Sequence, residues 1–163
     1  MKMPEKSNEL KNRKEGWISD ELYKKILEVM PVPCVDIVVA AGRGRFLLGK
    51  RKNKPACGTW WFIGGRIMKG ESLERAALRH VKIESGISNA TLVKILGARG
   101  TMFRDSAQGP ASHTINTIFL AKVPYQKIVV PADSENSKVE WFSKIDKRWP
   151  SYIKDTLFLA GFK

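Results

Sequence analysis

The chain has 163 residues, 43% hydrophobic and 28% charged, a balance that suits one folded domain and excludes wholesale disorder. No stretch nears the roughly 18 apolar residues of a membrane span. The basic N-terminus has no apolar segment behind it, so no secretory leader is expected. Two cysteines, Cys34 and Cys57, argue against a disulfide framework and for a reducing cytoplasm. The net charge is +13, and residues 31–70 hold eight basic groups against one acidic. Such a concentrated field draws anions: nucleotide phosphates, nucleic acid or acidic lipid.

Residues 1–16 are polar and aperiodic, which predicts a mobile arm ahead of a single domain over residues 17–163. From Ser19 the spacing turns helical: Leu22, Tyr23, Ile26, Leu27 and Met30 form a stripe that Pro31 ends. Two apolar runs, residues 35–40 and 46–48, flank Gly42-Arg43-Gly44 and read as a hairpin. A basic loop over residues 50–54 leads to the aromatic strand Trp60-Trp61-Phe62-Ile63, which Gly64-Gly65 is expected to break. Residues 71–85 read as a helix capped by Gly86. Strands follow over residues 91–96, 114–123 and 139–142. A last helix covers residues 151–160 behind Pro150. The order predicts a mixed α/β layered domain around one central helix.

That helix carries the chemistry-bearing spacing. Gly65, Glu71, Arg79, Val81, Glu84, Gly86 and Ile87 fall in the register of the Nudix box. This family pattern runs Gly, five residues, Glu, seven residues, Arg-Glu-aliphatic-x-Glu-Glu-x-Gly-aliphatic. His80 and Ile83 stand where the box has two of its glutamates. A helix puts residues i and i+4 on one face, so box positions 80 and 84 suit an oxygen-ligated cation beside a diphosphate. Here only Glu84 remains a carboxylate, and imidazole matches Mg²⁺ poorly. The resemblance therefore implies an α/β/α Nudix-type sandwich with a catalytic loop–helix–loop and one Mg²⁺, with Mn²⁺ as a possible substitute. His80 is either a ligand or a packed side chain. Glu71 and Arg79 either brace the loop against the helix or, for Arg79, contact substrate.

Outside the box the chain resembles the GDP-mannose mannosyl hydrolase branch of that family. The carrying residues are Asp36, the run Lys50-Arg51-Lys52-Asn53-Lys54-Pro55-Ala56-Cys57-Gly58-Thr59-Trp60-Trp61, and Gly64-Gly65-Arg66. That branch also lacks the two replaced glutamates. It is known for water attack at the sugar carbon, releasing a nucleoside diphosphate and free sugar. The resemblance implies that Arg51 and Arg66 grip the diphosphate, where bidentate guanidinium contacts suit phosphate oxygens. It implies that Asp36 faces the nucleoside or sugar end, and that the Gly64 carbonyl and Glu84 hold metal. Glu135 and Asn136 replace a metal-binding Gln and a catalytic His. Asn136 cannot act as a general base, so Glu135 becomes the candidate both for metal and for base. Trp60 is taken as the ring that stacks on the substrate; core packing is its other role. Thr114 replaces a tyrosine of the branch.

Catalytic roles are thus expected for Glu135, Glu84 and Arg66, and substrate contacts for Asp36, Arg51, Arg66, Arg79 and Trp60. The metal set is Gly64, Glu84 and Glu135. Three readings compete. The first is hydrolysis of a nucleoside diphosphate sugar at carbon. The second is cleavage of a phosphoanhydride. The third is a nucleotide-binding module with weak or no turnover. A homodimer is possible; membrane binding is not expected, and nucleic acid is a poor candidate because no RNA-recognition signature is present.

Overall fold

The computed structural model describes residues 18–163; the arm expected over residues 1–16 lies outside them. Ser19 accepts the amide of Leu22 and starts α1, Asp20–Val29, as a serine N-cap should. β1, Val32–Ala41, turns at Gly42-Arg43-Gly44 into β2, Arg45–Arg51. The two pair antiparallel through Val39↔Leu47 and Ala40↔Phe46, the expected hairpin. β3, Trp60–Trp61, pairs with β2, and β4, Ile63–Arg66, pairs with β1.

Gly64-Gly65 therefore does not break the sheet. The pair sits inside β4 opposite Asp36 and Val35, because a residue without a side chain lets the two strands approach. A Cβ at Gly64 would clash with the Val35 carbonyl and stand 2.8 Å from Asp36 Oδ1.

Ser72 caps α2, Leu73–Ser85, by accepting the Arg75 amide, and Gly86 ends it in the left-handed region at φ 75°, the favoured glycine stop. β5 runs over Thr91–Phe103, well past residue 96. The two register shifts near Lys94 and Gly97 absorb its glycine while pairing with β6, Ser112–Lys122, continues; bulges do this without ending a strand. β7, Asn136–Phe142, pairs with β2 from Phe46 to Arg51 and so begins earlier than residue 139. α3 covers Ser151–Leu159 behind Pro150.

The seven strands form one sheet, mixed because β1 and β6 run parallel while the other pairs are antiparallel. Strand alternation divides β1 between two layers. Val35, Ile37 and Val39 face α2 and pack with Ala76, Ala77 and Val81. Val38 faces α3 and packs with Ile153 and Leu157. This is the α/β/α sandwich expected from the sequence. α1 covers a smaller cluster of Leu27, Val32 and Cys34. Its stripe is only partly used: Leu22 and Met30 stay about half exposed, at 52% and 51%. Among the described residues no helix is long and apolar enough to cross a membrane.

Candidate functional site

A cleft of about 480 Å³ opens between the β1–β4 edge, the basic loop after β2 and the loop before β7. Its volume suits a small-molecule ligand. Asp36, Arg51, Gly64, Arg66, Arg79 and Glu135 all line it. The structure thus gathers most of the residues singled out by the sequence, from five different segments.

The cationic side is built by strand ends. Arg51 closes β2, and its Nε donates to the Pro55 carbonyl at 2.6 Å, which fixes the guanidinium beside the loop. Arg66 closes β4 and lies over the Tyr23 ring at 5.6 Å. Two arginines at one cleft supply the forked donors that a diphosphate takes up.

Asp36 forms the acidic floor. It is 4% exposed, and the alternation of β1 turns it to the α3 layer, where the Tyr152 hydroxyl donates to its Oδ2 at 2.6 Å. Burial pushes its carboxyl up to about 6, while the Tyr152 bond and the fields of Arg51 and His80 oppose that rise. The partner is a tyrosine and not an arginine. Burial beside Asp36 also pushes the Tyr152 hydroxyl well above its usual range. Tyr152 escaped the sequence reading because it lies 116 residues away on α3. Its only local signal is a polar tip on an otherwise apolar helix face.

Both tryptophans join the core cluster on the α3 side, and the one that reaches the cleft is Trp61 and not the expected Trp60. Trp61 lines the cleft, 7% exposed, with its ring parallel to Tyr152 at 5.3 Å. Phe103 flanks Trp61 at 5.3 Å. Trp60 packs edge-on against Phe142 at 4.9 Å and is not part of the cleft lining. The structure places Trp60 with the core, because β3 is only two residues long and its phase follows its pairing with Gly49 and Lys50.

Arg79 borders the cleft but is spoken for. Its Nε and Nη2 donate to the two oxygens of Glu71 at 2.7 Å each, and Nη2 also reaches the Arg66 carbonyl at 3.0 Å. Arg79 holds the Glu71 carboxyl down to about 2, with help from the Met68 amide. This is the loop-to-helix brace, one of the two roles open to the pair.

Glu84 is the largest departure from expectation. It is 6% exposed and is not among the residues lining the cleft. His80 Nδ1 donates to its Oε1 at 2.9 Å, the Gly64 amide reaches the same oxygen at 3.3 Å, and Asn136 Nδ2 donates to Oε2 at 2.8 Å. Glu135 is exposed at the cleft, and its carbonyl accepts the Lys52 amide at 3.1 Å. Among the described residues no group of three or more His, Cys, Asp or Glu side chains is placed to hold a metal ion.

A family model for the NUDIX domain matches residues 30–151. The chain is 36% identical over 80 residues to the low-salt glycan biosynthesis protein Agl8 of Haloferax volcanii, covering 49% of this chain and 50% of that protein. It is 32% identical over 103 residues to an ADP-ribose pyrophosphatase of Methanocaldococcus jannaschii, covering 63% and 57%. It thus spans about half the length of these relatives. The fold matches a MutT protein from Methanosarcina mazei with a TM-score of 0.65 at 22% identity, over 80% of this chain and 93% of that one.

Proposed function

Because the chain belongs to the Nudix domain family, we propose that it hydrolyses a nucleoside diphosphate sugar, of GDP-mannose type, by water attack at the sugar carbon. The observation that carries this reading is the placement of Arg51, Arg66 and the exposed carboxylate of Glu135 on one cleft whose floor is Asp36. Arg51 and Arg66 grip the diphosphate and hold the negative charge that grows as it leaves. Glu135 takes the proton from the attacking water, and the bond from the sugar carbon to the diphosphate oxygen breaks. Free sugar and nucleoside diphosphate result. Trp61 and Phe103 supply the apolar wall for a base or sugar ring. Asn136 takes no part in proton transfer; its amide is bound to Glu84.

The family generally uses a divalent metal, and Mg²⁺ or Mn²⁺ is the expected ion. The donor set does not fit a resident one. Glu84 already accepts three nitrogen donors, and among the described residues Glu135 belongs to no group of three or more His, Cys, Asp or Glu side chains placed to hold a metal ion.

A second reading, attack at phosphorus, is favoured by the similarity to a protein named ADP-ribose pyrophosphatase. A third, ligand binding with weak turnover, is favoured by the capture of Glu84. Product analysis with GDP-mannose in heavy-oxygen water separates them. Labelled free sugar with unlabelled GDP is the expected result. Labelled GMP or sugar phosphate overturns carbon attack, and binding without any product leaves the third reading standing.

The same proposal places the chain in the cytoplasm, supported by the free state of Cys34 and Cys57. It also includes a homodimer formed through α1, supported by exposed Leu22, Val29 and Met30; a monomeric mass in light scattering would remove that element.

A further inference from the structure

We infer that His80, Asn136 and the Gly64 amide stand in place of a divalent cation on Glu84, so that the free protein holds no metal ion at this box position. The first argument is occupancy. A carboxylate offers its two oxygens to cations or to N–H donors. Both oxygens of Glu84 are engaged at hydrogen-bond distance, by His80 and Gly64 on Oε1 and by Asn136 on Oε2.

The second argument is that each donor is itself fixed. His80 Nε2 lies 3.2 Å from the Arg66 carbonyl and 3.3 Å from Arg79 Nη1. The Asn136 amide nitrogen accompanies a backbone held by the Ser134 hydroxyl, which in turn donates to the Glu84 carbonyl at 3.1 Å. Two glycines make the room. A Cβ at Gly65 would stand 2.7 Å from His80 Cε1, and one at Gly49 would collide with the Asn136 amide. The sheet is shaped around these two side chains, which marks them as built features and not as loose rotamers.

The third argument is chemical. Mg²⁺ requires oxygen ligands in near-octahedral order and gives up water reluctantly. To reach Glu84 it would have to displace the buried donors His80 and Asn136, and buried groups are costly to strand. The polar cluster therefore gives the box carboxylate a structural task. It ties α2 to β4, which lines the cleft, and to the start of β7, just after the cleft-lining Glu135. The inference holds for carbon and for phosphorus attack alike, so its failure is distinguishable from failure of the substrate reading.

The test is Mn²⁺ alone, titrated into the wild-type chain without nucleotide and followed by electron paramagnetic resonance. No binding tighter than about 1 mM is expected. His80→Glu removes one donor and restores the i, i+4 carboxylate pair. It is expected to bind Mn²⁺ at least about tenfold more tightly than wild type. Sub-millimolar binding by the wild type that Glu84→Gln abolishes would overturn the inference, and so would a folded His80→Glu variant with unchanged affinity. If that variant fails to fold, the imidazole ¹⁵N resonances of wild-type His80 decide. They should not move on addition of Mg²⁺ alone; a saturable shift would show the ion reaching Glu84.

Discussion

Glu84 and Glu135 carry the same expectation from the sequence, a carboxylate beside the diphosphate, yet the fold gives them opposite surroundings. Glu84 is 6% exposed and bound by three nitrogen donors. Glu135 is exposed on the cleft. Carboxylate identity does not decide which group reacts. The one that can exchange a proton with water is the one whose oxygens are not already committed. The largest expected effect follows. Glu135→Gln should slow turnover by about 10²–10⁴-fold, as removal of a general base does, with thermal stability unchanged within about 0.5 kcal/mol. Initial rates and a melting curve on the same sample check this. Near-wild-type rates would return the base to another group and dissolve the contrast.

Glu84→Ala sharpens the other half. It strands the His80 and Asn136 donors inside the protein, and losing one partner of a buried charged network costs about 3 kcal/mol. At this chain length that corresponds to a fall in Tm on the order of 10 °C. Denaturant unfolding should show it with the slope unchanged. A variant that melts with the wild type would mean that the cluster is not the structural tie described above.

How much of this was legible in the sequence depended on range. Ser72 and Gly86 mark the ends of α2 through local backbone needs, and the hairpin at Gly42-Arg43-Gly44 follows from flanking apolar runs. The brace between Glu71 and Arg79 spans only eight residues. Partnerships across the sheet were not readable. Asn136 meets Glu84 from 52 residues away, and Tyr152 meets Asp36 from 116. Substitution of the branch's histidine by Asn136 was visible, but its new partner was not, because register and tertiary packing set that contact. The choice between Trp60 and Trp61 failed for a related reason. Both rings pack on one core cluster, and only the pairing with β2 says which one also reaches the cleft.

Asp36 offers a smaller and pH-dependent test of the cleft floor. Its carboxyl is raised from 3.8 to about 6 by burial, despite the Tyr152 hydroxyl that bonds it. Between these two values the folded state keeps a proton that the unfolded chain has released. The folded protein therefore loses stability relative to the unfolded one as pH rises through that window. Asn in place of Asp carries no charge to desolvate and still offers Tyr152 an oxygen. Asp36→Asn should thus gain on the wild type as pH rises from 4 to 7, by on the order of 2 kcal/mol, and hold that gain above pH 7. Its turnover should fall at the same time, since the floor of the cleft loses its carboxylate. Stability measured at pH 4 and pH 7 reads the first effect directly. Equal differences at both values would mean that Asp36 titrates alike in the folded and unfolded states. The floor would then be open to water, and the contrast between committed and available carboxylates would have to be drawn without it.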